Sequence, residues 1–210
     1  MDSRAWDERY AATDLVWSAT PNRLVADEVA GLRPGRAVDL AAGEGRNALW
    51  LAEQGWDVTA VDFSLTGLDK GRALQERHPR GRDLHVDWVH GDVLSHDLGA
   101  GVFDLAVIAY LQLAEPQRRT ALRRAFGSLR VGGTLLLVAH DSTNLTEGTG
   151  GPQDPTVLYT AEEVLADLDG ERFEVERAER VARTVPSGDG HGGEPERTAY
   201  DCVVRLVRSA

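Results

Sequence analysis

The amino-acid sequence predicts an α/β three-layer sandwich: a seven-stranded, mostly parallel sheet with helices on both faces and an antiparallel hairpin at its C-terminal edge. Three observations predict it. Short apolar runs alternate with helix-periodic segments through most of the chain. Residues 103–109 are almost wholly apolar, as a central parallel strand covered on both faces must be. The last two strand-like runs, 173–178 and 198–207, are joined by a stretch without helical period and so pair as a hairpin.

Composition sets the limits. A chain of 210 residues suffices for one well-buried core. We expect a single domain over 1–210, with an N-terminal cover arm and helix over 1–30 and the core over 31–207. Net charge is −11, which argues against a nucleic-acid backbone as partner. One cysteine, Cys202, excludes an intrachain disulfide and a Cys-cluster metal site. The histidines His78, His85, His90, His96, His140 and His191 are scattered without metal-ligand spacing, so no metal is expected. No run is long and apolar enough to span a membrane and no signal peptide is visible, so a cytoplasmic monomer or homodimer is expected.

Taken in order, residues 1–20 are polar with spaced aromatics, Trp6, Tyr10 and Trp17, and form an arm that either covers a pocket or is simply docked on the core by these rings; Asp7 to Tyr10 are placed in a short helix. Pro21 opens a helix whose apolar face is Leu24, Val25 and Val29. The first strand, from Ala37 to Leu40, runs into Gly43 and Gly45, and a helical pattern follows at once. The second strand, 58–62, ends in Asp62; Ser64 or Thr66 then caps a helix over 65–77. A third strand covers 84–89, the fourth 103–109. Pro116 starts the next helix, whose Arg118, Arg119, Arg123 and Arg124 are expected on a solvated face. Residues 130–133 are expected to turn into a fifth strand over 134–139. Residues 141–158, rich in Gly, Thr, Asn and Pro, are expected to be a long functional loop. Thr160 to Glu163 form a capping box for a short helix. Residues 186–193 are expected to be a mobile loop.

The chemistry concentrates at the first strand. A strand, a glycine turn and a helix N-terminus bring unpaired N–H groups and close backbone to a ligand. About 20 residues on, an acid ending the second strand is placed to accept from ribose hydroxyls. Together Gly43, Gly45 and Asp62 point to a nucleoside-containing cofactor. Gly43-Glu44-Gly45-Arg46-Asn47-Ala48 also fits the dinucleotide pattern G-x-G-x-x-A, so an NAD(P)-binding oxidoreductase is the alternative; Thr66 rules out a Tyr-x-x-x-Lys pair around Lys70.

With Gly91-Asp92 after the third strand, Phe103-Asp104 opening the fourth, Arg130 to Gly133 before the fifth and the closing hairpin, the chain resembles class I S-adenosylmethionine-dependent methyltransferases over about 30–207. Asp39 to Asn47, with Trp6, Trp17 and Pro21-Asn22 ahead, is similar to the tellurite-resistance and thiopurine methyltransferase branch. The resemblance implies a Rossmann-like core, S-adenosyl-L-methionine as cofactor and S-adenosyl-L-homocysteine as product. It implies that Asp39 orients the loop or meets the methionine ammonium, and that Gly43 and Gly45 admit the cofactor. Asp62 would take the ribose, Phe63 pack on adenine, Asp92 accept from its amino group beside Val93, and Ala109 and Tyr110 pass the methionine end. Arg46 or Asn47 would meet the cofactor carboxylate or cap the helix. Ala41 stands where the family often has its first loop glycine.

The expected reaction is methyl transfer to a small-molecule thiol, chalcogen oxyanion or hydroxyl; a non-catalytic module that binds the same cofactor is a further alternative. His140, at the end of the fifth strand, is either a general base or a bond to the 141–158 loop, and Tyr110 is the second catalytic candidate. Trp17, Gln112 and Asn144 are candidates for the acceptor pocket; Asp104 and Cys202 are expected to be structural.

Overall fold

The computed structural model describes residues 2–16, 18–185 and 197–210. Trp17 and the 186–193 stretch therefore lie outside the described residues. Among the described residues seven strands form one sheet: β1 (Arg36–Leu40), β2 (Asp57–Asp62), β3 (Val86–His90), β4 (Phe103–Ala109), β5 (Leu129–His140), β6 (Phe173–Val185) and β7 (Arg197–Arg208). Their spatial order is β3-β2-β1-β4-β5-β7-β6, with the first five parallel and β7 antiparallel to both β5 and β6. The helices are α1 (Ser3–Ala11), α2 (Arg23–Val29), α3 (Arg46–Glu53), α4 (Leu65–Arg77), α5 (Glu115–Ser128), α6 (Asn144–Glu147) and α7 (Ala161–Asp167).

The apolar runs form two cores, one on each face of the sheet. Val38, Leu40, Ile108, Leu135 and Leu137 pack beneath α5 and α7. Ala37, Val58, Leu105, Val107 and Leu136 pack beneath α2 and α3. Strand order reverses between β1 and β4, and at such a point the crevice beyond the carboxyl ends of the strands receives ligands. The expected architecture is the one observed.

Several boundaries move, each for a visible reason. Residues 130–133 continue β5 rather than forming a separate turn, with a register shift against β4 absorbing the glycines. The hairpin strands run on to Val185 and from Arg197, because from Arg177 to Val185 every β6 residue finds a β7 partner, well past the apolar stretch. The 141–158 segment is not structureless: it holds α6 and a 3-10 turn at Pro155–Val157. Of the α5 arginines, Arg119 and Arg123 are exposed as expected, whereas Arg118 and Arg124 are not. Arg118 is 5% exposed and pairs with buried Asp167 at 2.6 Å, Arg119 reaches the same carboxylate, and Arg123 donates to the carbonyls of Asp167 and Asp169. They fasten α5 to α7, an ion pairing that helical spacing alone does not reveal.

Asp104 accepts from the Arg36 N–H at 2.7 Å and pairs with Arg130, so it closes the amino-terminal end of the sheet. Cys202 is fully buried between apolar neighbours. Ser64 caps α4 by accepting from the Gly67 N–H, and Thr160 with Glu163 makes the capping box of α7.

Candidate active site

The turn after β1 holds three residues in the left-handed region: Ala41 (φ 58°), Gly43 (φ 57°) and Gly45 (φ 74°). Gly43 and Gly45 are glycines for a further reason. A side chain at Gly43 would run into the Tyr10 hydroxyl, and one at Gly45 into the Trp88 ring. Close ring packing therefore accounts for both, in addition to backbone conformation.

Asp39, near the end of β1, is 1% exposed, and its Oδ2 has no hydrogen-bond partner. Burial, aided by the nearby Asp62 carboxylate, pushes its pKa up to about 7; Arg46 and the Ala48 N–H oppose this. Beside it, α3 begins at Gly45 with no side-chain cap. A buried acid with one unpartnered oxygen thus adjoins a helix N-terminus whose N-cap residue, Gly45, supplies no side-chain bond. The two have opposite needs, a cation and an anion, and a single amino-acid zwitterion meets both.

Asp62 is 3% exposed and accepts from the Gly43 N–H through Oδ2 and the Ser64 N–H through Oδ1, both at 2.8 Å. It thereby ties the glycine turn to the end of β2, and each oxygen keeps a lone pair for a second donor. Burial raises its pKa, against the two N–H bonds. Phe63 follows, half-buried, its carbonyl bonded to the His90 ring. Asp92 is exposed past β3, with Oδ1 accepting from the Leu94 N–H at 2.8 Å, and Val93 is buried beside it. Asp39, the glycine turn, Asp62 and Asp92 share the carboxyl-terminal edge of adjacent strands, so the topology brings them together.

Over this edge lies the N-terminal arm. Asp7 accepts from the Ser64 hydroxyl at 2.5 Å and the Thr66 N–H at 3.1 Å. Lys70 binds the carbonyls of Tyr10 and Thr13, and the Glu44 carboxylate takes the Val16 N–H. Asn47 accepts from the Asn22 N–H at 2.9 Å, which fastens α2 to α3. Arg46 is partly exposed, within electrostatic reach of Asp39, Tyr10 and Tyr110.

A second cluster sits where β4, β5 and β7 end. Ala109 closes β4 and is followed by Tyr110, a non-glycine residue at φ 57°. The Tyr110 hydroxyl donates to Asp201 Oδ2 at 3.0 Å, and Arg183 Nε donates to the same oxygen at 2.7 Å. Burial, with the Asp201 charge, pushes the Tyr110 pKa up to about 12, so at neutral pH it is a donor and not a base. His140 lies directly across the β5–β7 ladder from Asp201, Nδ1 to Oδ1 at 3.3 Å. Its ring is 4.8 Å from that of Tyr110, and Gly151 packs against it so closely that a side chain there would strike the imidazole at 2.9 Å. The ring of His140 therefore addresses Asp201 rather than bonding into the 141–158 loop.

Gln112 accepts from the His140 N–H at 3.0 Å and donates to the Val157 carbonyl at 2.6 Å. Asn144 accepts from the Tyr200 N–H and donates to the carbonyls of Thr149 and Gly150. Both amides are thus engaged in holding the 141–158 segment against the sheet. Sequence reading missed Asp201 and Arg183. The available signal was Asp201, the one carboxylate in β7, set directly before the apolar run 202–204, since a charge there must find a buried partner.

A family model described as methyltransferase domain matches residues 37–133. The demethylmenaquinone methyltransferase of Renibacterium salmoninarum is 30% identical over 115 residues, 55% of this chain and 45% of that protein. The chain thus spans about half the length of the curated relatives it matches. TehB from Haemophilus influenzae superposes with a TM-score of 0.71 at 17% identity, covering 99% of this chain and 67% of that one. The glycopeptide N-methyltransferase MtfA complexed with S-adenosyl-L-methionine superposes with a TM-score of 0.64 at 21% identity, covering 92% and 89%. At these identities the structural likeness speaks to the fold.

Proposed function

We propose that the chain is a class I S-adenosylmethionine-dependent methyltransferase that transfers a methyl group from S-adenosyl-L-methionine to a small-molecule acceptor bearing a thiol, chalcogen oxyanion or hydroxyl; the methyltransferase-domain match over residues 37–133 supports this reading. The observation that carries the reading is the unpartnered Oδ2 of buried Asp39 beside the start of α3, whose N-cap Gly45 supplies no side-chain bond. These groups fit the methionine end of the cofactor, with its ammonium toward Asp39 and its carboxylate toward the α3 N–H groups and Arg46. Asp62 takes the ribose hydroxyls on its spare lone pairs; Phe63, Asp92 and Val93 receive the adenine. When bound, the cofactor supplies an activated sulfonium methyl: the acceptor's lone pair bonds to the methyl carbon as the carbon–sulfur bond breaks and its electron pair passes to sulfur.

The protein's share is alignment and exclusion of water, and alignment alone supplies up to about 7–11 kcal/mol of the barrier. Ala109 and Tyr110 border the reacting end, and the arm bearing Tyr10 covers the turn. We read the chain as one domain over 1–210 working in the cytoplasm; among the described residues no helix is long and apolar enough to cross a membrane.

Calorimetry with S-adenosyl-L-homocysteine and with NADH tests the assignment. Saturable binding of the thioether is expected, weakened by about 1–3 kcal/mol in Asp62→Ala, the cost of losing hydrogen bonds to a charged group. Binding of NADH alone would transfer the site to the oxidoreductase reading. Labelled methyl appearing on any member of a panel of thiols, tellurium and selenium oxyanions and phenols separates an enzyme from a binding module.

A further inference from the structure

Three side chains, Tyr110 after β4, His140 at the end of β5 and Arg183 on β6, converge on one carboxylate of β7. Asp201, on β7, is fully buried. Its Oδ2 is shared by the Tyr110 hydroxyl and Arg183 Nε, while its Oδ1 has no hydrogen bond and lies 3.3 Å from His140 Nδ1, itself buried and unbonded. The two unsatisfied atoms face each other across the ladder pair His140 and Asp201. A buried donor and a buried acceptor left unmade cost more than the bond returns, so a proton on Nδ1 directed at Oδ1 satisfies both. The Tyr110 ring, 4.8 Å away and tilted, and the close backbone of Gly151 both pack against the imidazole. Nδ1 is among the buried side-chain atoms without a hydrogen bond, and Nε2 is not.

We propose that Asp201 is a positioning residue: it fixes His140 in the Nδ1–H tautomer, so that Nε2 takes the proton of a hydroxyl-bearing methyl acceptor, while Tyr110 and Arg183 anchor the carboxylate. The inference rests on the methyltransferase reading and narrows its acceptor class. A thiolate or an oxyanion arrives already nucleophilic. A hydroxyl does not, and only for it is an imidazole backed by a buried carboxylate needed. The acceptor O–H proton passes to Nε2, the oxygen keeps the electron pair it gives to the methyl carbon, and the imidazolium formed is stabilised by Asp201 until solvent removes the proton.

Long-range proton–nitrogen NMR of the full chain at pH 8, with S-adenosyl-L-homocysteine added, reads the tautomer directly. The wild-type protein is expected to carry Nδ1–H with Nε2 unprotonated, and Asp201→Asn to move the population toward Nε2–H, as happens when the orienting Asp of a serine-protease triad becomes Asn. Arg183→Gln, which leaves the carboxylate in place, keeps the Nδ1–H form. A wild-type ring protonated at Nε2, or an unchanged tautomer in Asp201→Asn, overturns the proposal; the wild-type spectrum decides even where the variant fails to fold. Against a panel of phenols, His140→Gln and Asp201→Asn are expected to lower kcat about 10²–10⁴-fold with the KM for the cofactor unchanged. An equal loss toward thiols also overturns it. Failure to bind S-adenosyl-L-homocysteine in calorimetry would instead bring down the parent reading.

Discussion

At the scale of single residues, Asp39 carries the largest consequence. Its native pKa near 7 stands well above the value of about 3.9 for an unfolded aspartate. The folded chain therefore holds a proton that the unfolded chain releases from about pH 4 upward. Stability from this group is full below the unfolded value and is lost as pH rises through 7. Without ligand, Asp39→Asn should therefore be more stable than wild type at pH 8, by an upper bound of about 4 kcal/mol, with a smaller gap at pH 5. Urea denaturation at the two pH values measures this, and a gap that does not widen with pH would contradict the burial argument. The same substitution should weaken S-adenosyl-L-homocysteine binding, separating stability from function. Asp39 and Asp62 were legible because an acid ending an apolar strand near a glycine turn is a local pattern. Asp201 was not, because its meaning depends on His140, which only the ladder register brings opposite.

At the scale of elements, the arm and the α4 N-terminus act together. Asp7 supplies acceptors to the Ser64 hydroxyl and the Thr66 N–H, so α1 serves as an external cap for α4. Lys70, one helical turn further along α4, grips the carbonyls at the end of α1. Asp7→Ala is expected to cost about 1–2 kcal/mol, the usual worth of a helix cap. Ser64 still caps Gly67, so the loss should appear as faster hydrogen exchange over residues 2–16 and not as unfolding of α4. Uniform acceleration across the sheet would show the arm to be integral to the core. The aromatic spacing pointed to an arm that either covers a pocket or docks on the core, and Tyr10 is buried against the glycine turn; periodicity placed most helices. The contacts of the α5 arginines escaped, since which face of a charged helix meets a neighbouring acid is set by tertiary packing rather than by composition.

At the scale of the whole molecule, the alternation of strand and helix was enough to foresee seven strands and the closing hairpin, because handedness and crossover rules leave few topologies for that rhythm. The strand ends escaped where pairing outlasts hydrophobicity, as in β6, whose polar residues remain in the ladder through Val185. One consequence of this topology can be measured across the molecule. The candidate cofactor residues all lie at the carboxyl ends of β1 to β4, while Asp104 and its partners close the opposite edge. A ligand that binds only the folded state stabilises it by about 2.7 kcal/mol at a hundred times its Kd. For a domain of this size that corresponds to a rise in Tm of roughly 5–11 °C. S-adenosyl-L-homocysteine should produce such a rise, with hydrogen-exchange protection over α1, the turn at 41–45 and residues 62–67. The stretch around Gly35, Arg36 and Arg130 should change no more than global stabilisation requires. Protection centred on that amino-terminal edge would place the ligand on the wrong side of the sheet, and the site built on Asp39 and Asp62 would have to be abandoned.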